Sequence, residues 1–276
     1  MSQNPPLVSV VMPAYNSEKY ISEAIESILN QSFKNFEFII VDDCSTDATF
    51  KIIDGYAKKD NRIIVLKNKS NLNVAKSRNR GIARAKGKYI ATMDSDDEAL
   101  PSRLQDQWDY LNSGRDIAIC IGNINIINEN GEFQYTREYP IYDKDLKRKV
   151  YRYNPFPNPT TVCLKTVYEK IGGYDSSYAL NEDFDFWLRA GVYYKFGNCG
   201  KVVLGYRVTS NSASHGRLRL TEKITFKLRW KAYKLGYKYC AGDIIYNLFH
   251  LLSYVILPSK AKVVIFNLLR KNKIIR

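Results

Sequence analysis

The first hundred residues alternate two hydrophobic periods. Leu7 to Met12 is a nearly unbroken apolar run, as a strand buried on both faces requires. After Pro13-Ala14-Tyr15-Asn16, the apolar positions Ile21, Ala24, Ile25, Ile28 and Leu29 recur at helical spacing. Phe36 to Val41 repeats the strand. Asp42-Asp43-Cys44-Ser45-Thr46-Asp47 makes a polar turn rich in helix-capping residues, and Ile52, Ile53 and Tyr56 mark the stripe of a second helix. Arg62 to Leu66 predicts a third strand, Val74 to Ala85 a third helix before Gly87, and Tyr89 to Met93 a fourth strand. This βαβα alternation predicts a parallel sheet with right-handed crossovers.

Beyond Met93 the rhythm changes. Pro101 opens a helix through Leu104, Trp108 and Leu111, Asp116 to Ile121 predicts a strand, and Ile124 to Phe133 around Glu129-Asn130-Gly131 reads as a hairpin. The stretch to Pro159 is rich in Tyr, Asn and Pro and predicts a loop-bearing surface. Val167 to Ile171 is a short helix closed by Gly172-Gly173, and Phe184 to Ala190 another. Glu182 and Asp183 precede the latter, where the helix dipole alone would favour acids. After Gly216, Leu218 to Leu235 interleaves basic with apolar residues, and an apolar run from Ile244 to Leu257 is stopped by Pro258. That run is shorter than the ~20 residues that cross a bilayer, and it contains Asn247 and His250. Val263 to Ile275 again mixes apolar and basic residues. Together they predict a basic amphipathic helical tail over 217–276, suited to an anionic membrane surface.

Charge sharpens this division. The chain has 276 residues, 45% of them hydrophobic, and a formal charge of +14 from 42 Lys and Arg against 28 Asp and Glu. Fourteen of those basic residues, but only Glu222 and Asp243 of the acids, lie in 217–276, so the preceding body is nearly neutral. The excess is therefore a property of the tail. A basic membrane- or nucleic-acid-binding module without enzymatic activity is the alternative this raises, with Phe226, Trp230, Tyr233, Tyr237 and Tyr239 available for stacking. No RNP, KH or zinc-finger pattern supports nucleic acid, so the partner expected is the membrane. The five cysteines are dispersed and never spaced Cys-x-x-Cys, which predicts reduced packing residues. Met1 to Pro6 shows neither a basic n-region nor an apolar h-region. The expectation is a protein on the cytoplasmic face of the plasma membrane, peripherally bound.

The chemistry concentrates at Asp94-Ser95-Asp96-Asp97, where the fourth strand stops. Clustered carboxylates repel one another and are costly to bury unpaired, so the group calls for a cation. In a parallel sheet the ends of strands one, two and four converge on one edge, where a nucleotide could lie across them. No Gly-x-Gly-x-x-Gly follows strand one and no Walker A loop occurs, which excludes NAD and P-loop chemistry. A phosphatase of the haloacid-dehalogenase type would carry its Asp-x-Asp after the first strand, not the fourth.

Six segments in order resemble the family 2 inverting glycosyltransferases of GT-A fold: Val8 to Asn16, Ile40 to Asp47, Ala75 to Gly81, Met93 to Asp97, Gly172-Gly173-Tyr174, and Asn181-Glu182-Asp183 with Trp187-Leu188-Arg189. The resemblance covers about residues 7–215. It implies a GT-A catalytic domain over 1–216, with a donor half at 1–97 and an acceptor half at 98–216. It implies a nucleotide-sugar donor, most often UDP-linked, a divalent Mn2+ or Mg2+, and a glycan acceptor, here expected to be lipid-linked and part of a bacterial surface polysaccharide. Carried over, Pro13, Ala14, Tyr15, Asp42, Asp43, Asn71 and Arg78 would line the nucleotide site, with Ser95 and Arg207 beside the phosphates. Asp94 and Asp96 would form the metal-binding DxD motif. Asp183 would be the catalytic base, with Glu182 orienting it or touching the acceptor. Thr209 stands where the family often has His, which leaves His215 as a possible substitute.

Overall fold

The computed structural model describes residues 6–209, 218–258 and 262. His215 and Val263–Ile275 lie outside the described residues. Over the first hundred residues the elements follow the hydrophobic rhythm: β1 (Val8–Ala14), α1 (Ile21–Leu29), β2 (Phe36–Asp42), α2 (Thr49–Ala57), β3 (Ile63–Lys67), α3 (Val74–Arg84) and β4 (Tyr89–Thr92). Every residue of β1 and β2 is buried, which is why both read as continuous apolar runs. The four strands are parallel in the order β3-β2-β1-β4. Ala14 pairs with Asp42 and Asp42 with Lys67, so the strands end level with one another. Helix α3 lies close against this sheet at Gly81, where an added Cβ would stand 2.5 Å from a Val11 methyl.

The second half departs from a mostly parallel sheet. It comprises β5 (Glu98–Ala99), α4 (Arg103–Leu111), β6 (Ile119–Ile127), β7 (Phe133–Arg137), α5 (Asp143–Lys149), β8 (Val162–Leu164), α6 (Lys165–Ile171), α7 (Glu182–Ala190) and β9 (Phe196–Arg207). These extend the sheet as β4-β8-β6-β9-β5, with β7 on β6, and β8 runs antiparallel to both neighbours. The sheet is therefore mixed. The expected strand at 116–121 and the first arm of the hairpin are one strand, β6, which turns at Gly131 (φ +81°).

One contact joins the Gly172-Gly173-Tyr174 segment to Asn79. Asn79 on α3 donates from Nδ2 to the Tyr174 carbonyl at 2.8 Å and accepts from the Tyr174 amide at 2.9 Å, tying the two halves together. Gly172 (φ +85°) ends α6 in the left-handed conformation that permits this turn. Arg189 then donates to the carbonyls of Ile171 and Gly173, both at 2.7 Å, which locks α7 over the turn.

The tail forms α8 (Leu218–Lys234) and α9 (Ala241–Ile256). Helix α8 packs against the preceding body. Its Leu228 and Ala232 are fully buried, and Lys231 Nζ reaches Asp185 Oδ1 of α7 at 2.5 Å.

Candidate active site

Each chemical residue is set by the end of an element. Thr92 closes β4, and the chain beyond it presents Asp94, Ser95, Asp96 and Asp97. Arg78, on the sheet-facing side of α3, is buried and bridges the two halves: Nη2 donates to Asp94 Oδ1 at 2.7 Å and Nη1 to Glu182 Oε1 at 2.6 Å. These two carboxylates raise the guanidinium's pKa against the effect of burial, so it is a permanent charge. Asp183 follows on the first turn of α7, behind Asn181 in the left-handed conformation (φ 58°).

A cavity of about 400 Å³ collects Arg78, Asp94, Asp96, Glu182, Asp183 and Arg207. Burial, and then the neighbouring Glu182, push the Asp183 carboxyl up to about 7, with Arg78 acting in the opposite direction. Burial and Asp94 push Asp96 up to about 6. Asp183 is thus poised to exchange a proton near neutral pH, as a general base must.

The nucleotide-site candidates of the other strand ends form a second group along the adjoining sheet edge. Pro13 and Ala14 are buried at the end of β1, whereas Tyr15 is 47% exposed. Asp43 is anchored, its Oδ1 accepting from Asn68 Nδ2 at 2.6 Å and the Leu72 amide at 2.8 Å. Asn71 is exposed and accepts from the Asn73 amide at 3.3 Å. Ser95 Oγ lies 2.8 Å from Ser17 Oγ. Asp42 is buried; its Oδ1 accepts from the Ser45 amide at 3.4 Å, which shapes the turn, and its Oδ2 has no hydrogen-bond partner among the described residues.

Arg207 lines the same cavity but is held more tightly. Its side chain is 1% exposed and its guanidinium is fully committed, to Glu23 at 2.6 Å, to Glu98, and to the Asp96 carbonyl at 2.9 Å. It positions the acidic loop with a guanidinium already engaged by these partners. Asp97 belongs to the same lock, because its Oδ1 accepts from the Arg207 amide at 2.9 Å and its carboxyl is held well above the usual range by burial.

A model of glycosyl transferase family 2 matches residues 9–172. The chain belongs to that family. It is 38% identical over 233 residues to an uncharacterized glycosyltransferase of Methanocaldococcus jannaschii, covering 82% of this chain and 80% of that one. An O-antigen biosynthesis glycosyltransferase of Escherichia coli, WbnJ, is 33% identical over 81% of this chain and 88% of its own. Another from Escherichia coli, the UDP-Glc:alpha-D-GlcNAc-diphosphoundecaprenol beta-1,3-glucosyltransferase WfgD, is 29% identical over 92% and 94%. Among solved structures, S. aureus TarS 1-349 in complex with UDP superposes with a TM-score of 0.61 at 25% identity, covering 78% of this chain and 64% of that chain. The protein is a glycosyltransferase of GT-A fold, which removes the alternative of a binding module without transferase activity.

Sequence reasoning missed three side chains of the transferase's cavity. Asn154 donates from Nδ2 to Asp183 Oδ2 at 3.2 Å. Arg137 donates to the Tyr135 hydroxyl at 3.2 Å and has no carboxylate partner among the described residues, unlike Arg78 and Arg207. Thr221 of α8 lines the same cavity, so the tail helix contributes to the site. None of the three lies in a motif; the only local signal was the Asn- and Pro-rich stretch that holds Asn154.

Proposed function

We propose that the transferase moves one sugar, with inversion, from a UDP-sugar to a lipid-linked glycan in building a bacterial surface polysaccharide such as O-antigen, capsule or lipopolysaccharide. The observation that carries this reading is one cavity holding both Asp183 and the Asp94–Asp96 pair. Asp183 accepts the proton of the acceptor hydroxyl as its oxygen bonds to the anomeric carbon, while the bond from that carbon to the diphosphate oxygen breaks. Glu182, held by Arg78, orients the acceptor side. Pro13, Ala14, Tyr15, Asp43 and Asn71 hold the uridine at the sheet edge, and Arg137 takes the diphosphate role that Arg207 cannot fill. The relatives WbnJ and WfgD support the surface-polysaccharide setting and a diphosphoundecaprenol-linked acceptor. Segment 217–276 brings the enzyme to the cytoplasmic face of an anionic membrane.

Enzymes of this family commonly use a divalent metal. The residues present fit one. Arg78 occupies only one oxygen of Asp94, and the Asp96 carboxylate has no ion pair among the described residues. No group of three or more His, Cys, Asp or Glu could hold an ion among the described residues. Two hard carboxylates completed by substrate phosphates is a common arrangement for Mg2+ and equally suits Mn2+. Asp94 and Asp96 would hold the ion, which when bound neutralises charge on the leaving diphosphate.

At 100 times its dissociation constant, UDP with MnCl2 should stabilise the wild type by about 2.7 kcal/mol. Asp96→Ala should lose that thermal shift, and EDTA should remove it from the wild type; an unchanged UDP affinity in EDTA excludes the metal. Arg137→Ala should weaken UDP binding on the order of tenfold to a hundredfold, the scale of a lost charge-assisted hydrogen bond. Arg207→Ala should instead lower thermal stability, and a reversed pattern in the two variants would return the phosphate role to Arg207.

A further inference from the structure

Helix α9 is amphipathic in the wrong sense for a helix packed on a core. Its polar stripe faces the protein. Asp243 pairs with Arg152 at 2.8 Å, Asn247 donates to the Tyr151 carbonyl at 3.0 Å and accepts from Arg229 at 3.0 Å, and His250 Nδ1 lies 2.8 Å from Arg229 Nη1. Its apolar stripe faces outward, with Ile245, Leu248, Phe249, Leu252, Val255 and Ile256 each more than half exposed. An apolar face this continuous needs a partner.

Charge selects among partners. Both acids of the tail are consumed internally, Asp243 by Arg152 and Glu222 by Lys262 at 2.8 Å. At the N-terminal end of α9, a hollow of about 900 Å³ opens between α5 and residues 235–243. Lys147 and Arg152 there are paired with Asp143 and Asp243, whereas Lys144, Arg148, Lys149 and Lys238 have no carboxylate partner among the described residues. Trp230 and Tyr233, exposed and stacked at 5.3 Å, stand nearby on α8, and Tyr239 packs edge-on against Tyr233 at 5.7 Å. A second copy of the chain would bring one positive rim against another. Apolar residues flanked by unpaired cations and amphipathic aromatics match the boundary between lipid headgroups and acyl chains. No helix of the described residues is long and apolar enough to cross a membrane, so α9 would lie in the surface.

We propose that α9 lies in an anionic bilayer with its Ile245–Leu248–Phe249–Leu252–Val255–Ile256 face inserted, and that the hollow lined by Lys144, Arg148, Lys149 and Lys238 receives lipid phosphate. The assignment rests on the membrane-surface part of the function proposed above and names the element responsible, α9 with the α5 rim, in place of the whole tail. Because α8 both packs against α7 and contributes Thr221 to the active cavity, the docked face is tied to the acceptor side of the site.

Flotation of the full chain with phosphatidylglycerol-containing and pure phosphatidylcholine vesicles tests this, with UDP and MnCl2 thermal shift as an independent readout of the donor site. The wild type should float with anionic vesicles only. Leu248→Asp with Phe249→Asp should abolish flotation, and Lys144→Glu with Lys149→Glu should weaken it by about fivefold or more per charge. Both variants should keep the wild-type UDP shift, since the altered side chains lie outside the site. Wild-type protein that ignores anionic vesicles overturns the proposal, as do variants that float as well as wild type. A wild-type dimer that becomes monomeric in the Leu248→Asp, Phe249→Asp variant, with flotation unchanged, assigns the face to self-association instead. A wild type that floats as expected but shows no UDP shift counts against the donor reading alone.

Discussion

Asp183→Asn is expected to lower kcat by about 10²–10⁴-fold, the usual contribution of a positioned general base, while leaving UDP binding unchanged. The amide preserves shape and hydrogen bonding but cannot take the acceptor proton. Single-turnover transfer together with a UDP thermal shift separates the two effects, and near-wild-type turnover would remove Asp183 from the role. The wild-type pH profile should agree. A general base works only when ionised, and the Asp183 carboxyl is raised to about 7, so on this assignment kcat/KM should climb with pH and level off above about 7. The groups facing it are Glu182 and Asp94, which raise it, and Arg78, which lowers it. Asn154 donates to the ionised form, so Asn154→Ala should move this limb to higher pH. Since the folded protein holds this proton more tightly than the unfolded chain, the same group makes stability fall as pH rises from about 4 to 7.

Arg78→Ala should cost about 3–5 kcal/mol of unfolding free energy, the scale for removing one partner of a buried ion pair. Its guanidinium serves Asp94 and Glu182 at once, and both would be left facing each other and Asp183 without a cation. Arg78→Lys should recover only part of the loss, because a compact ammonium cannot span two carboxylates as a planar fork does. Urea denaturation measures this directly. A midpoint within experimental error of wild type, at unchanged m, would show that the bridge carries no stability. Activity should fall as well, since the lost positive charge pushes the Asp183 carboxyl further up.

The first hundred residues were legible because their signals are local. Strands buried on both faces are uniformly apolar, and the helices between them keep one apolar stripe, so β1 to β4 and α1 to α3 follow from spacing alone. The chain beyond residue 97 hid its architecture. β8 spans three residues and β5 two, too few to show a period, and β9 carries Gly197, Asn198, Gly200 and Lys201 inside a twelve-residue strand. Helix α5 was missed because only Leu146 of its seven residues is buried.

By itself, then, the sequence determined the βαβα frame, the carboxylates at the strand ends and the concentration of positive charge after residue 216. These depend on residue type and spacing, which are local. Only the tertiary structure decided how the charges are spent: that Arg207 is engaged by Glu23 and Glu98, that Arg78 joins Asp94 to Glu182, and that Arg137 meets the Tyr135 hydroxyl and no carboxylate among the described residues. It also decided which face of α9 looks outward. An apolar stripe has the same spacing whether it meets a core or a membrane, and the packing of its polar side is what tells the two apart.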